Sequence, residues 1–120
     1  MPSFEQLDAW ERSHRLVLEV YAATRRWPRE EQYGLISQIR RACVSVASNI
    51  AEGSGKRGPR EFRRCLDISL GSLAEVEYQL MLARDLGYLT PREYDNLRGT
   101  HQEAARPTWK LYCAMRDARK

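Results

Sequence analysis

The stretch that decides the fold is residues 62–83, FRRCLDISLGSLAEVEYQLMLA. Apolar or small side chains recur there at alternating intervals of four and three residues, which places them on one face of an α-helix. The positions on that face are Phe62, Leu66, Ser69, Leu73, Val76, Leu80 and Ala83. Gly87 follows the pattern and can adopt the left-handed conformation that ends many helices. The sequence therefore predicts a long amphipathic helix that buries this face against other elements.

Three more stretches carry the same helical stripe. They comprise Leu7, Trp10, His14, Val17 and Tyr21; Leu35, Ile39, Ala42, Val46 and Ile50; and Tyr94, Leu97, His101, Ala104, Thr108, Leu111 and Met115. No stretch alternates like a β-strand. The connections between the four stripes are short, which favours antiparallel neighbours. We predict an all-α protein whose residues 1–120 form one domain, an antiparallel up-down-up-down four-helix bundle.

Proline and glycine residues mark the predicted helix ends. Pro28 separates the first two helices, because proline cannot continue a helix. The second helix is expected to run from about Glu30 to Gly53, with Gly53 as a left-handed cap. Residues 90–93, TPRE, combine an N-cap hydroxyl with a first-turn proline and a glutamate, which predicts a helix start with a capping box. Pro107 predicts a bend in this last helix.

The composition is that of a globular protein with its own core. Hydrophobic residues make up 42% of the 120 residues and charged residues 30%. The three cysteines are odd in number and widely spaced, which favours reduced thiols and a cytoplasmic location over a disulfide or zinc framework. The chain carries no apolar run long enough to span a membrane and no secretion signal pattern. We expect no membrane association.

Positive charge is concentrated in one segment. The chain carries a net charge of +4. Residues 54–64 hold five cations, Lys56, Arg57, Arg60, Arg63 and Arg64, against the single carboxylate of Glu61, while the rest of the chain is neutral. Arginine's planar fork suits phosphate, so the segment is a candidate nucleic-acid surface. The alternative is a solvated loop whose arginines pair with neighbouring carboxylates.

The glycines of this segment do not form a nucleotide-binding loop. Ile50 occupies the position of the first glycine of a P-loop, and Arg57 stands where that motif has Ser or Thr. A helix, not a strand, precedes the segment. Nucleotide hydrolysis is therefore excluded.

A polar stripe follows the second predicted helix and needs partners, because the helix is otherwise apolar. It comprises Gln38, Arg41, Ser45, Asn49 and Glu52. Folding the second and third helices together places Arg40 or Arg41 level with Ser72 and Glu75, where an ion pair can form. A structural polar network that fixes helix register is the main interpretation, and a ligand site is the alternative.

No motif indicates catalysis, a cofactor or a metal. His14 and His101 lie on two of the stripes, but no third ligand accompanies them. The aromatic residues lie at or beside stripe positions, so core or interface packing is expected rather than base stacking. They are Trp10, Tyr21, Tyr33, Phe62, Tyr78, Trp109 and Tyr112. An enzyme with a site between subunits remains a third possibility.

The residues quoted above resemble a known family. Residues 33–53, with YGL, QIRRA and VSVASNIAEG, and residues 61–89, with EF, GSL and LGYL, are similar to the four-helix-bundle proteins encoded in intervening sequences of bacterial 23S ribosomal RNA genes. The resemblance covers roughly residues 4–115. It implies a four-helix bundle that assembles as a ring-like homopentamer.

The resemblance also implies a mode of action. Related accessory variability determinant proteins of diversity-generating retroelements bind nucleic acid and a reverse transcriptase through basic surfaces. Carried over to this sequence, that role falls on Arg40, Arg41 and the cluster from Lys56 to Arg64. We therefore expect a non-enzymatic, oligomeric adaptor that binds RNA or other single-stranded nucleic acid. The alternative is a protein-interaction scaffold whose basic residues contact other subunits or a partner protein.

Overall fold

The computed structural model describes residues 3–118, and four long α-helices make up most of this range. They are α1 (Asp8–Thr24), α2 (Leu35–Ser54), α3 (Gly58–Asp85) and α4 (Pro91–Asp117). Short 3-10 turns at Phe4–Gln6 and Arg29–Glu31 precede α1 and α2. No strand occurs in the described range. The predicted all-α architecture with four helices is confirmed.

Each helix packs against two others, in the cyclic order α1, α2, α3, α4 and back to α1. The apolar faces meet in one continuous core to which all four helices contribute. Fully buried large side chains include Leu16, Ile39, Ile50, Leu66 and Leu80. Removing these faces from water is the main term that holds the helices together.

The predicted stripes of α2, α3 and α4 form most of this core. In α3, every predicted position is buried except Phe62, which is partly buried. All five predicted positions of α2 are buried. In α4, burial extends from Tyr94 to Thr108, and Leu111 and Met115 remain partly exposed. Helical periodicity therefore identified the correct inner face of three helices.

The predicted stripe of α1 was wrong by about one position. The buried side chains are Ala9, Ser13, Leu16, Val20 and Thr24, whereas His14 is exposed and the other predicted residues are only partly buried. The prediction placed the large Trp10 and Tyr21 on the inner face. That face instead includes small and polar residues, which the hydrophobic pattern does not mark. Thr24 fits there because its hydroxyl donates to the Val20 carbonyl oxygen at 2.8 Å.

Gly87 ends α3 as predicted. Its φ is +82°, and its amide donates to the Arg84 carbonyl oxygen at 3.0 Å. The next amide, that of Tyr88, donates to the Ala83 carbonyl oxygen at 2.9 Å. These two bonds satisfy carbonyl groups that the helix end would otherwise leave unpaired.

Gly53 does not cap α2, and that prediction was wrong. It lies inside α2 without a positive φ and is buried. A Cβ at this position would lie 2.7 Å from Cδ1 of Phe62 and 2.8 Å from Cβ of Cys65. Gly53 is therefore required for the close approach of α2 to α3.

The start of α2 also differs from the prediction, since the helix begins at Leu35 and not near Glu30. Glu31 precedes the helix and caps its start, because its carboxylate accepts a hydrogen bond from the Leu35 amide at 3.1 Å. The helix start of α4 is as predicted. Thr90 Oγ1 accepts from the Glu93 amide at 3.1 Å, and Glu93 accepts from the Thr90 amide at 2.8 Å.

Helix α4 continues through Pro107 to Asp117. Among residues 3–118, no helix is long and apolar enough to cross a membrane. The three cysteines are free thiols: Cys43 and Cys65 are buried, and Cys113 is partly buried.

Candidate nucleic-acid interface

The basic cluster lies where α2 ends and α3 begins. Arg57 occupies the N-cap position of α3 in an extended conformation, and Arg60, Arg63 and Arg64 follow in its first two turns. Side chains three and four residues apart project from one side of a helix. The start of α3 is held against the end of α2 by the contact between Phe62 and Gly53. The arginines therefore extend from a packed helix.

Four arginine side chains line one concave surface, which encloses a volume of about 650 Å³. Tyr112, from the last turns of α4, forms part of the same surface. The full lining is Arg57, Arg60, Glu61, Arg63, Arg64, Asp67 and Tyr112. Four cations and two carboxylates leave an excess of two positive charges. The surface thus attracts anions.

These arginines are not neutralised within the described part of the chain. Across residues 3–118, no carboxylate oxygen lies within 4.0 Å of the charged nitrogens of Arg57, Arg60, Arg63 or Arg64. Lys56 differs, since its Nζ lies 3.6 Å from Glu52. Three of the four arginines are exposed, and Arg63 is partly buried. Their hydrogen-bond donors are available to an external anion.

Arg40 lies apart from this surface, between α1 and α2. Its Nε donates to Thr24 Oγ1 at 2.8 Å, and its Nη2 donates to the Tyr21 carbonyl oxygen at 3.3 Å. The guanidinium carbon also lies 4.4 Å from the centre of the Tyr21 ring. These contacts give Arg40 a structural role that nucleic-acid binding would have to disrupt.

Arg41 and Glu75 do not form the predicted ion pair. They line a small cleft of about 280 Å³ together with Gln38, Ser45 and Ser72. Within residues 3–118, no carboxylate oxygen lies within 4.0 Å of the Arg41 guanidinium nitrogens. Glu75 instead accepts a hydrogen bond from Gln79 at 3.3 Å. Arg41 is exposed on α2.

The centre of the polar stripe does join α2 to α3. Ser72 donates to Ser45 Oγ at 2.9 Å, and Asn49 donates to the same oxygen at 3.2 Å. Ser69, which is fully buried, donates to the Val46 carbonyl oxygen at 2.8 Å. Glu52 turns away from these residues toward Lys56. The stripe therefore divides into a helix-joining part and exposed ends.

The two histidines occupy different environments. His14 is exposed and stacks on Trp10, with ring centres 4.9 Å apart. His101 is buried, and its Nε2 donates to the Leu73 carbonyl oxygen at 2.7 Å, since a carbonyl can only accept. In the described chain, no group of three or more His, Cys, Asp or Glu side chains is arranged to hold a metal ion.

One aromatic pair was missed as a candidate site, because its spacing is that of a packed stripe. The rings of Trp109 and Tyr112 stack with centres 5.4 Å apart and planes 18° apart. Trp109 is 51% exposed, and Tyr112 lines the arginine surface. The density of aromatic residues near the end of α4, beside Arg106 and Lys110, was the available signal.

Within residues 3–118, these features define an all-α protein of four helices with four arginines at the α2–α3 connection that no carboxylate neutralises. The chain matches the 23S rRNA-intervening sequence protein family over residues 5–108 and belongs to it, as the sequence resemblance indicated.

A solved structure with the same fold is a protein of unknown function of the S23 ribosomal protein family from Bacteroides thetaiotaomicron VPI-5482. The match has a TM-score of 0.80 and 21% sequence identity, and it covers 88% of this chain and 95% of that chain. No curated protein matches the chain.

Proposed function

We propose that this protein is a non-enzymatic, oligomeric adaptor that binds RNA or other single-stranded nucleic acid through the basic surface of residues 56–64. The observation that carries the proposal is a set of four arginines on one concave surface. Among residues 3–118, no carboxylate oxygen lies within 4.0 Å of their charged nitrogens. Guanidinium groups bind phosphate oxygens through paired hydrogen bonds. Nucleic acid offers such phosphates at regular spacing along a flexible strand.

The start of α3 adds a weaker attraction for phosphate. Within residues 3–118, no side chain caps this helix start, so the amides of its first turn remain available to an anion, except at Pro59, which has no N–H. The helix dipole places partial positive charge at the same point. Backbone and side chains therefore favour the same ligand charge.

The lining of the surface supports binding rather than catalysis. Its described side chains comprise four arginines, two carboxylates and one tyrosine, with no serine or cysteine to act as a nucleophile and no histidine to act as its base. We place the protein in the cytoplasm, which the three free thiols support.

We further propose an antiparallel up-down-up-down bundle. Three contacts support this direction of the helices. The end of α2 meets the start of α3 at Gly53 and Phe62. The end of α1 meets the start of α4 through Arg26 and Glu93. The start of α1 approaches the later part of α4 through Arg12 and Glu103.

Assembly into a ring-like homopentamer, which the family resemblance implies, is supported by exposed apolar surface. A groove of about 340 Å³ between α1 and α2 is lined largely by apolar and small side chains: Phe4, Trp10, His14, Val17, Val44, Ala47, Ser48 and Ala51. A ring needs a second, different surface on each subunit. We assign it to α3, on which Ile68, Tyr78 and Met81 are exposed. Repetition of the basic surface around a ring raises avidity.

Binding across a salt series tests the proposed ligand. Each neutralised phosphate contributes a slope of about −0.7 to log affinity against log salt for a single strand, so four arginines predict about −3. Changing Arg57, Arg60, Arg63 and Arg64 together to Gln should lower affinity at least about tenfold and flatten the slope. Filter binding with a single-stranded RNA measures both quantities.

A matched control removes the same charge elsewhere. Arg25, Arg29, Arg92 and Arg98 are exposed and, among the described residues, have no carboxylate within 4.0 Å. The control with all four changed to Gln should retain most of the affinity and slope. Equal losses in both variants would show that net charge, and not this surface, governs binding.

The second candidate function is a protein-interaction scaffold, which the apolar groove between α1 and α2 favours. A partner such as a reverse transcriptase would then be bound without nucleic acid. This alternative predicts that the four-arginine variant loses its oligomer or its partner, and that wild type binds no RNA even at low salt.

Light scattering tests the assembly. Five copies of the 14.0 kDa chain give 70 kDa. A mass of 14.0 kDa at micromolar concentration would exclude both the ring and its avidity.

A further inference from the structure

We propose that the stacked pair of Trp109 and Tyr112 is a platform for unpaired bases, so that the ligand is a single strand that crosses these rings between two groups of cations. The inference rests on the proposed function and specifies its ligand. It begins from Tyr112, which lines the same concave surface as Arg57, Arg60 and Arg63. An aromatic ring therefore borders the phosphate-binding side chains.

The geometry of the pair suits stacking by a third ring. The two rings are close to parallel, with planes 18° apart and centres 5.4 Å apart. Trp109 is 51% exposed, although it is one of the largest apolar side chains. Bases stack on such rings with little regard to sequence, because every base has a π-face.

A second group of cations lies beside Trp109. A depression of about 520 Å³ there is lined in part by Trp109, Arg106 and Lys110. Arg12, which also lines it, is neutralised by Asp8 at 3.3 Å and Glu103 at 3.5 Å. Arg106 and Lys110 have no carboxylate within 4.0 Å in the range 3–118. They remain available to phosphates.

The aromatic pair thus links two groups of cations that have no carboxylate partner among residues 3–118: Tyr112 borders one group and Trp109 the other. A strand that crosses it can place phosphates on Arg57, Arg60 and Arg63, a base on the exposed ring, and further phosphates on Arg106 and Lys110. A duplex cannot use the rings, because its bases already stack on each other. The platform therefore selects single strands over duplexes of the same sequence.

The test uses homopolymeric U and A RNAs of about 12 nucleotides and a duplex of the same length. Trp109→Ala should lower affinity for both single strands about tenfold. It should leave the salt slope unchanged, because no charge is removed, and it should leave duplex binding unchanged. Trp109→Phe should retain most of the single-strand affinity.

Tyr33→Ala is the matched control, since Tyr33 is 90% exposed on the connection between α1 and α2. It should bind like wild type. Quenching of tryptophan fluorescence by the U strand gives a second readout, which Trp109→Phe should remove. Circular dichroism and light scattering on each variant test whether the fold and the mass are unchanged.

The outcomes separate the two proposals. If Trp109→Ala binds single strands like wild type while the four-arginine variant does not, the basic surface stands and the platform is wrong. If Trp109→Ala changes the oligomer mass, the rings form a subunit contact and the platform is likewise wrong. If wild type binds neither strand form, both proposals fail.

Discussion

Where α1 connects to α2 and α3 connects to α4, two carboxylates, Glu31 and Glu93, are held by distant side chains, although three arginines of these connections have no carboxylate within 4.0 Å among residues 3–118. Arg26 donates to Glu93 at 2.6 Å, and Tyr88 donates to Glu31 at 2.7 Å. At the connection between α2 and α3, the arginines of residues 57–64 have no such partner among residues 3–118. We call the first region, residues 25–34 and 86–93, the paired end, and the second, residues 53–64, the basic end.

The two ends use charged side chains differently: at the paired end they join helices, and at the basic end they face solvent. Glu31 and Glu93 each accept two hydrogen bonds, one from a backbone amide at a helix start and one from a distant side chain. Such bonds fix how neighbouring helices are joined. At the basic end, Phe62 packs on Gly53 and holds α3 against α2, and among residues 3–118 no carboxylate pairs with the arginines.

The largest effect is expected from Gly53→Ala, which breaks the packing of the basic end. The new Cβ would lie 2.7 Å from the Phe62 ring and force α2 and α3 apart. We expect a loss of about 1–3 kcal/mol in the free energy of unfolding, measured with urea. Gly71→Ala is the control. Nothing lies within 4 Å of its added Cβ, so it should stabilise α3 by about 0.5–1 kcal/mol.

Thr90→Ala tests the paired end through its helix start. The change removes the oxygen that accepts from the Glu93 amide at 3.1 Å. The free energy of unfolding should fall by about 1 kcal/mol. Thr90→Ser keeps the acceptor and should retain most of the stability, whereas equal losses in the two variants would assign the effect to the lost methyl group.

Acidification should lower the free energy of unfolding by protonating the two carboxylates of the paired end that accept hydrogen bonds, Glu31 and Glu93. Hydrogen bonds from the Leu35 amide and the Tyr88 hydroxyl lower the pKa of Glu31 below 4.5. The Thr90 amide, and then Arg26, lower the pKa of Glu93. A carboxyl whose pKa is lowered on folding contributes stability above its ordinary pKa and loses it as the pH falls through the lowered value. Urea unfolding between pH 7 and 3 should therefore show a flatter decline for Glu93→Gln than for wild type.

The smallest effect on stability is expected from the four-arginine variant. Cations at the start of α3 oppose the helix dipole and repel one another, so their removal should change the free energy of unfolding by less than about 0.5 kcal/mol, in the stabilising direction. Urea unfolding measures it. A loss above about 1 kcal/mol would show that the basic end is structural after all.

Periodicity predicted the inner faces of α2, α3 and α4 because one series of apolar side chains at three- and four-residue spacing runs along each helix, although Ile68, Tyr78 and Trp109 lie outside that series and are exposed. It failed for α1, where Trp10 and Val17 form a second apolar face beside the groove and Ser13 and Thr24 occupy buried positions. When a helix has two apolar faces, its sequence alone does not show which one is buried, since burial depends on the side chains of the helices that pack against it.

The basic cluster was visible in the sequence because its five cations fall within nine residues, 56–64. Its separation from Arg40 was not, because Arg40 reaches Thr24 and Tyr21 across sixteen and nineteen residues of chain. Tyr112 was likewise unpredictable as part of the surface, because only packing of α4 beside α3 brings it to the arginines.

The rates at which two of the three thiols react with an external reagent report on opening of the molecule. Cys43 has no exposed surface, and its burial raises the pKa of its thiol to about 12, so the reactive thiolate is scarce in the folded chain. Cys113 is partly exposed near the end of α4. An alkylating reagent therefore modifies Cys113 first and reaches Cys43 only when the helices separate, so the two rates distinguish local fraying from global unfolding.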